Sequence, residues 1–478
     1  MIVIAGLSLL AVGLVYELSV ERRLIKVLLV ILSGSWLAAG LILSDWRAVG
    51  IGLILSLSHG RLIAGRYGPK RTKRIVRRTW RLTLILALAA GGVSWLADNR
   101  LGWLLSIAGG AWLGLCFRAL WLSLQRTLGA RFRVTAGVKS EVLPTVTLAI
   151  PARNETPVLT DCLRAALASS YGKLEVLVLD DCSQDSTPDI IRSFAHDGVR
   201  FIQGARPAAG WVGKNQAYDY LLREASGDLI IFAGVDTRLQ PHSVDLLIAD
   251  MLASRAKLLS IMPTRRQMDW WPSLVRPLRY YYQLAFASWP FMNSLWVVDR
   301  QWLIDKGGFG AYRHAILPEK QLARLARQEQ AYRFRISSKE LGISSRKRVN
   351  SLLETAIRTL YPEAGKEPLL ALGRSAGWLL LAGILTAGWR LGMPVFLIGS
   401  ILLSLSYFVS EAALQPSRWY LSGWLLPFAF LSQSLLELVS MVRYEYGRVD
   451  WKGRNVCLPV MKQRPSGAVS PRSNRQPT

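Results

Sequence analysis

Five short clusters of polar residues in the middle of the chain could do chemistry together. They are Pro151-Ala152-Arg153-Asn154-Glu155, Asp180-Asp181-Cys182, Gly210-Trp211-Val212-Gly213-Lys214, Gly234-Val235-Asp236 and Pro318-Glu319-Lys320. Carboxylates such as Glu155, Asp180 and Asp181 can accept hydrogen bonds from a base N–H and from ribose hydroxyls. Asp236 can offer oxygen to a hard divalent ion, Mg or Mn, of the kind that bridges the oxygens of a diphosphate. Lys214, next to Gly213, can approach the same phosphates as a point charge. Glu319 can remove a proton from an attacking hydroxyl. These parts suit transfer from a nucleotide-diphosphate donor to an alcohol. Each cluster alone also has a purely structural reading, because a carboxylate after a strand is commonly a helix cap. Asp185 and Thr187 fit that second reading. The order of all five clusters, at domain-like spacing, favours the chemical one.

Such residues need a scaffold that gathers them. Between 140 and 365 short β-rich runs at 146–150, 174–179, 199–202 and 229–232 alternate with helical stretches near 157–169, 187–195, 214–225 and 241–253. Alternating strands and helices predict an α/β domain built on a parallel, Rossmann-like sheet with crossover helices. Ligands of such sheets bind beyond the carboxyl ends of the strands. Four of the polar clusters come after the four runs in order, each before the next run begins.

The flanks read as membrane. Five apolar runs (1–19, 24–43, 46–64, 82–98 and 101–122) are each long enough, or nearly so, to cross roughly 30 Å of hydrocarbon. Loops after the first, third and fifth runs are basic, and those after the second and fourth are nearly neutral. That alternation predicts an outside N-terminus and a central domain on the cytoplasmic side of a bacterial plasma membrane. Three further apolar stretches lie at 372–390, 394–413 and 420–442, followed by a basic tail from 444 whose end is expected to be disordered. Three crossings would put that tail outside, whereas its charge favours the inside, so one stretch is expected to be re-entrant or interfacial. The aromatic segment 270–298 is likewise expected to lie on the bilayer.

The chain carries 59 Lys and Arg against 32 Asp and Glu, a net charge of +27, with a mean hydropathy of +0.25. The densest basic cluster abuts apolar runs, where it attracts anionic lipid headgroups. Nucleic-acid binding, which would need basic and aromatic residues interleaved on a soluble module, is set aside. Four scattered cysteines form neither a zinc pattern nor a disulfide framework.

With these residues in view, the segment from about 145 to 325 resembles glycosyltransferase family 2 and its GT-A fold. The membrane-bound members related to ceramide glucosyltransferase and to hopanoid- and carotenoid-associated glycosyltransferases are the nearest in pattern. A Trp451-Lys452-Gly453-Arg454 signature after the last apolar stretch belongs to the same likeness. The resemblance implies an inverting transfer from a nucleotide-diphosphate sugar to a hydroxyl, and the aromatic segment expected on the bilayer beside the site points to a lipid acceptor. It implies that Pro151, Arg153, Glu155, Asp180 and Asp181 belong to the donor site, the two acidic clusters binding the nucleoside. Gly210, Trp211, Gly213 and Lys214 would help to hold the donor, Asp236 would bind Mg or Mn, and Glu319 would be the catalytic base.

The chain departs from the family pattern in two places. Gly234 stands where the first Asp of D-x-D is usual, and Pro318 precedes Glu319 where Glu-Asp is usual. Glu for Asp lengthens the arm by a methylene, and a displacement of about 1 Å can cost ~100-fold. A register pairing Glu319-Lys320 with Glu-Asp would put a cation at the base position, as in an inactive scaffold or regulatory subunit. The Leu322-Ala323-Arg324 match favours the first register. Gln415-Pro416-Ser417-Arg418-Trp419 fits the Q-x-x-R-W motif of processive polysaccharide synthases, but it follows Glu319 at too great a distance.

Overall fold

A computed structural model describes residues 101–132, 143–265, 278–347, 349–387, 394–415 and 425–461. The four apolar runs expected before residue 100 and the end of the tail lie outside the described residues. Helix α1 covers Leu101–Gly129. The α/β region opens with β1 (Val146–Ala152), α2 (Thr156–Leu167), β2 (Leu174–Asp180), α3 (Thr187–Ser193), β3 (Val199–Gln203), α4 (Gly213–Glu224) and β4 (Leu229–Ala233). It continues through β5 (Thr237–Arg238), α5 (Ser243–Ala253), β6 (Leu258–Met262), β7 (Thr264–Arg265), α6 (Arg279–Ala285), β8 (Leu295–Asp299) and α7 (Arg300–Asp305). Helix α8 (Pro318–Gln328), β9 (Tyr332–Ile336), β10 (Ser344–Ser345) and α9 (Val349–Glu363) complete it. Prolines sit in the first turns of α2, α3 and α8, where a missing N–H costs nothing.

Seven strands form one sheet in the order β3-β2-β1-β4-β8-β6-β9. Strands β1 to β4 run parallel to one another, and β8 runs antiparallel to both its neighbours. Period-2 alternation divides the core. Leu148, Ile150, Val176, Val178 and Ile231 pack on one face with α2 and α5. Ala149, Leu177, Leu179 and Phe232 pack on the other with α4 and α8. The expected strands therefore form, and their carboxyl ends line up along one edge.

The segment 270–298 departs from expectation. Residues up to 277 lie outside the described set, but Tyr280 and Tyr281 of α6 are buried. Trp296 is fully buried in β8, stacked on Phe232 with ring centroids 4.6 Å apart. A strand between β4 and β6 is covered on both faces, so its aromatic residues serve the core and do not lie on a bilayer.

Three short strands, β5-β10-β7, make a second sheet that joins the loop after β4 to residues 344–347. Helices α10 (Pro368–Ala387), α11 (Pro394–Leu414) and α12 (Leu426–Glu445) follow. Pro368–Thr386 and Val395–Leu414 are long and apolar enough to cross a membrane, consistent with membrane association. Helix α12 is different: it buries Gln433, Ser434, Glu437 and Ser440. Tyr444 of α12 donates its hydroxyl to Arg358 O at 2.6 Å. The described residues end with the hairpin β11 (Asp450–Trp451) and β12 (Arg454–Asn455), then α13 (Cys457–Met461).

The chain divides into two units. The larger holds Cys116–Lys366, Arg374–Ala387 and Ser400–Thr478, and the candidate site lies within it. In the smaller, Trp112 donates Nε1 to Phe396 O at 3.2 Å, and its ring occupies the space beside Gly399.

Candidate active site

The carboxyl ends of β1, β2 and β4 open onto a cavity of about 270 Å³. Pro151, Arg153, Glu155, Asp181, Lys214 and Asp236, all singled out by sequence, line it. Arg153 lies at the end of β1 with its guanidinium largely buried. Its Nη1 donates to Asp181 O at 2.6 Å and to Cys182 O at 2.7 Å, so it ties two strand ends together.

Asp180 and Asp181 diverge, because neighbouring residues at a strand end face opposite ways. Asp180 accepts from Ser183 N at 3.2 Å and from Gln203 Nε2 at 3.1 Å, away from the cavity lining. Asp181 accepts two bonds from Arg454 Nη1, at 2.7 and 2.6 Å. Glu155 pairs with Lys452 Nζ at 2.9 Å. Burial raises both the Asp181 and the Glu155 carboxyl above the ordinary range, opposed by Arg454 and Lys452 respectively.

Those two cations come from the terminal hairpin. Its turn residues Lys452 and Gly453 have φ of 51° and 77°, as a tight hairpin turn requires. The turn folds over the β1–β2 corner: Arg153 Nε donates to Lys452 O at 3.0 Å, and Lys452 Nζ donates to Asn154 O at 3.0 Å. A Cβ on Gly213 would lie 3.0 Å from Arg454 Nη1, so the glycine lets the guanidinium reach Asp181. The sequence had marked Lys452 and Arg454 as a signature without a role. The Lys-Gly pair between extended residues was the available signal for a hairpin, though not for where it docks.

The glycine loop has a supporting part. Gly210, at φ +83°, lies against the His314 ring, and Trp211 packs on the Phe232 side of the core. Val212 N donates to Arg313 O at 2.9 Å, and Asn215 Nδ2 donates to Ala315 O at 2.7 Å. Lys214 then emerges from the first turn of α4 and forms an ion pair with Glu319. Glu319, in the first turn of α8, is fully buried. Asn293 Nδ2 approaches its Oε1 at 3.5 Å, and its Oε2 has no hydrogen-bond partner among the described residues. Lys214 and Tyr218 line the cavity in front of it, with the Lys214 ammonium 4.9 Å above the Tyr218 ring. Burial holds the Lys214 amine below its ordinary range, with Glu319 opposing.

Asp236 accepts from Ser345 Oγ at 2.9 Å, and its backbone carbonyl accepts from Arg346 N at 2.9 Å. Its Oδ1 occupies the space beside Gly234, where a Cβ would come within 2.7 Å of it. Opposite stand three cations that the sequence did not flag: Arg279, Lys347 and Arg358. Burial lowers the Lys347 amine to about 8, with Asp236 opposing. Across the cavity wall seven Lys and Arg face four Asp and Glu. Among the described residues no group of three His, Cys, Asp or Glu converges to hold a metal. A hard dication needs several oxygen ligands. One carboxylate already bonded to Ser345, with Glu155 held by Lys452, does not make a protein-built set for it.

A second cavity of about 60 Å³ shares Arg279, Ser294, Lys347 and Thr355 with the first. It is lined further on by Tyr280, Tyr282, Leu352, Leu360 and Trp378, the last from α10.

The chain is similar to several known proteins over this region. An N-acetylglucosaminyltransferase of Bradyrhizobium sp. (strain ANU 289) is 32% identical over 142 residues, which are 29% of this chain and 90% of that one. An N-acetylglucosaminyltransferase of Mesorhizobium japonicum is 29% identical over 177 residues, 34% of this chain and 41% of the relative. Of four curated relatives, the Mesorhizobium japonicum one and three others, the chain spans only 27–61% of the length. Among solved structures, the mannosyltransferase PcManGT from Pyrobaculum calidifontis, in complex with GDP-Man and Mn2+, aligns at TM-score 0.41 and 18% identity, over 71% of this chain and 97% of that one. The pattern of Glycosyl transferase family 2 matches residues 147–302. On that match and the near-complete coverage of the Bradyrhizobium sp. relative, the chain belongs to glycosyl transferase family 2.

Proposed function

We propose that this protein transfers a sugar from a nucleotide-diphosphate sugar to the hydroxyl of a lipid acceptor, with inversion at the sugar C1. The observation that carries the proposal is the buried Glu319–Lys214 pair standing directly behind a cavity at the carboxyl ends of β1, β2 and β4. The nucleoside sits at the Glu155–Asp181 corner, which the terminal hairpin closes. The diphosphate lies toward Asp236, and the sugar C1 points at Glu319. When an acceptor hydroxyl reaches the Glu319 Oε2, which lacks a partner, the carboxylate takes its proton as the oxygen attacks C1. Lys214 holds the Glu319 carboxylate in place through their ion pair. Asp236, where the resemblance places a divalent ion, does no step in this scheme.

The second cavity supports a lipid acceptor. It leads from Arg279 and Lys347 along Tyr280, Leu352 and Leu360 to Trp378 of α10, one of the two apolar helices. Two crossings by α10 and α11 would return the chain to the side of the catalytic region, which agrees with the basic tail. We place that region in the cytoplasm of a bacterial cell, with anionic lipids against the basic loops.

The test is a panel of nucleotide sugars offered to the full chain in detergent with extracted membrane lipid. One donor should be consumed with formation of a glycolipid, and Glu319→Gln should lower that rate at least about 100-fold. No consumption of any donor by the wild type would favour a scaffold that kept the fold, a reading that Gly234 and the Lys214-bound Glu319 make specific.

A further inference from the structure

Three side chains of the cavity, Arg279 at the start of α6, Lys347 after β10 and Arg358 in α9, form no ion pair among the described residues; Arg153, likewise outside any ion pair, spends its guanidinium on the carbonyls of Asp181, Cys182 and Lys452. Lys214, Lys452, Arg454 and Arg346 are each ion-paired, with Glu319, Glu155, Asp181 and Asp161. Arg279 instead donates to the neutral Asn293 Oδ1 at 2.8 Å, and Lys347 to the neutral Thr355 Oγ1 at 2.8 Å. The Arg358 guanidinium lies 4.8 Å over the Trp451 ring, and its buried Nε has no hydrogen-bond partner among the described residues. None of the three is ion-paired among the described residues, although all line one cavity. Half-buried positive charge without a counter-ion in contact is costly, and an anion placed among the three relieves that cost.

The facing wall explains which anion. Asp236 is bonded to Ser345 and lies over Gly234, so the two carboxylates that would share a divalent ion are one, and that one is engaged. A diphosphate entering this cavity meets one engaged carboxylate and three cations. Given the donor site proposed above, we infer that Arg279, Lys347 and Arg358 receive the donor's diphosphate and neutralise it, so that nucleotide binding by this chain does not require a divalent ion. Guanidinium groups suit the task through paired N–H donors, and the ammonium through its compact charge. As the sugar–oxygen bond breaks, the bonding electrons go to the diphosphate oxygen, and the same three cations stabilise that growing charge.

The experiment is equilibrium binding to the full-length protein in detergent. The probes are UDP, GDP, CDP, ADP and dTDP, the matching nucleosides, and vesicles of phosphatidylglycerol or phosphatidylcholine. Each is measured with EDTA and with Mn2+. We expect one nucleoside diphosphate to bind in EDTA within about threefold of its affinity in Mn2+. Lys347→Met and Arg358→Gln should each weaken that binding about tenfold or more while the matching nucleoside binds as before. Lys347→Arg, which keeps the charge, should retain most of the affinity, and that separates the effect from misfolding. Binding that falls more than about 100-fold in EDTA would overturn the inference while leaving the donor site standing. So would Lys347→Met weakening only the capture of phosphatidylglycerol vesicles, which would assign the cations to a lipid phosphate. Failure of every nucleotide to bind under both conditions would instead remove the donor site itself.

Discussion

Replacing Arg454 by methionine tests whether the terminal hairpin closes the donor corner. The substitution leaves Asp181, whose side chain is 6% exposed, without the two hydrogen bonds at 2.7 and 2.6 Å that now compensate its burial. A buried carboxylate in that position takes up a proton and does not remain charged. From an unfolded-state aspartate near 3.9, holding a proton at pH 7 costs about 4 kcal/mol, which sets the ceiling on the loss. At pH 5 the same ceiling is about 1.5 kcal/mol. The sign follows from proton binding. Asp181 in the variant has a folded-state value raised above the unfolded one, so the folded state binds more protons between the two values, and stability falls as pH rises. At about 2–4 °C per kcal/mol, Arg454→Met should lower the unfolding midpoint by at most about 8–16 °C at pH 7 and at most about 3–6 °C at pH 5. Tryptophan fluorescence during a thermal scan in detergent reads this out. Adding Asp181→Asn to Arg454→Met should recover a large part of the loss at pH 7 and remove its pH dependence. A drop of less than about 2 °C at pH 7, or one of equal size at both pH values, would refute the reasoning, because Asp181 would then be solvated without the hairpin.

Other expectations follow from the same geometry. Gly234→Asp places a second carboxylate against Asp236 Oδ1, so the variant should gain a Mn2+-dependent rise in melting temperature larger than any the wild type shows. Lys347 is held down to about 8 by burial, so nucleoside-diphosphate affinity should fall as pH rises through that value, and Lys347→Arg should lose the inflection in a binding titration. Because the unfolded amine keeps its proton up to about 10.5, the burial penalty on Lys347 should also ease over the window from 8 to 10.5, in which wild-type stability rises relative to Lys347→Arg. Trp296→Ala empties a fully buried place between β4 and β6 and should cost about 3–5 kcal/mol in a denaturant titration.

The strands and the edge they share were readable from the sequence, because each apolar run of β1 to β4 ends in a polar cluster and is followed by a helix. Period and order alone gathered Glu155, Asp181 and Asp236 on one side of the sheet. The same reasoning went wrong where density of type stood in for position. Trp296 looked interfacial beside its aromatic neighbours, yet an antiparallel strand entering the middle of a parallel sheet buries it. Asp180 and Asp181 look like a pair in the sequence, yet Asp181 lines the cavity while Asp180 is turned to Ser183 and Gln203. Lys214, expected at the donor, lines the cavity and also reaches across 105 positions to Glu319, a contact that only the packing of α4 beside α8 creates. Arg279, Lys347 and Arg358 carry no local pattern at all. They come from three separate elements, and their lack of an ion pair among the described residues is visible only when their neighbours are known.

The central claim is that Glu319 takes a proton from an acceptor at a site that holds a nucleotide sugar. The most direct measurement is a single-turnover assay of the full chain in lipid nanodiscs, with the donor that the panel identifies, comparing wild type and Glu319→Gln alongside equilibrium binding of the same donor. The account predicts that Glu319→Gln binds the donor within about threefold of wild type yet transfers its sugar at least about 100-fold more slowly. Equal transfer rates for the two proteins would contradict it.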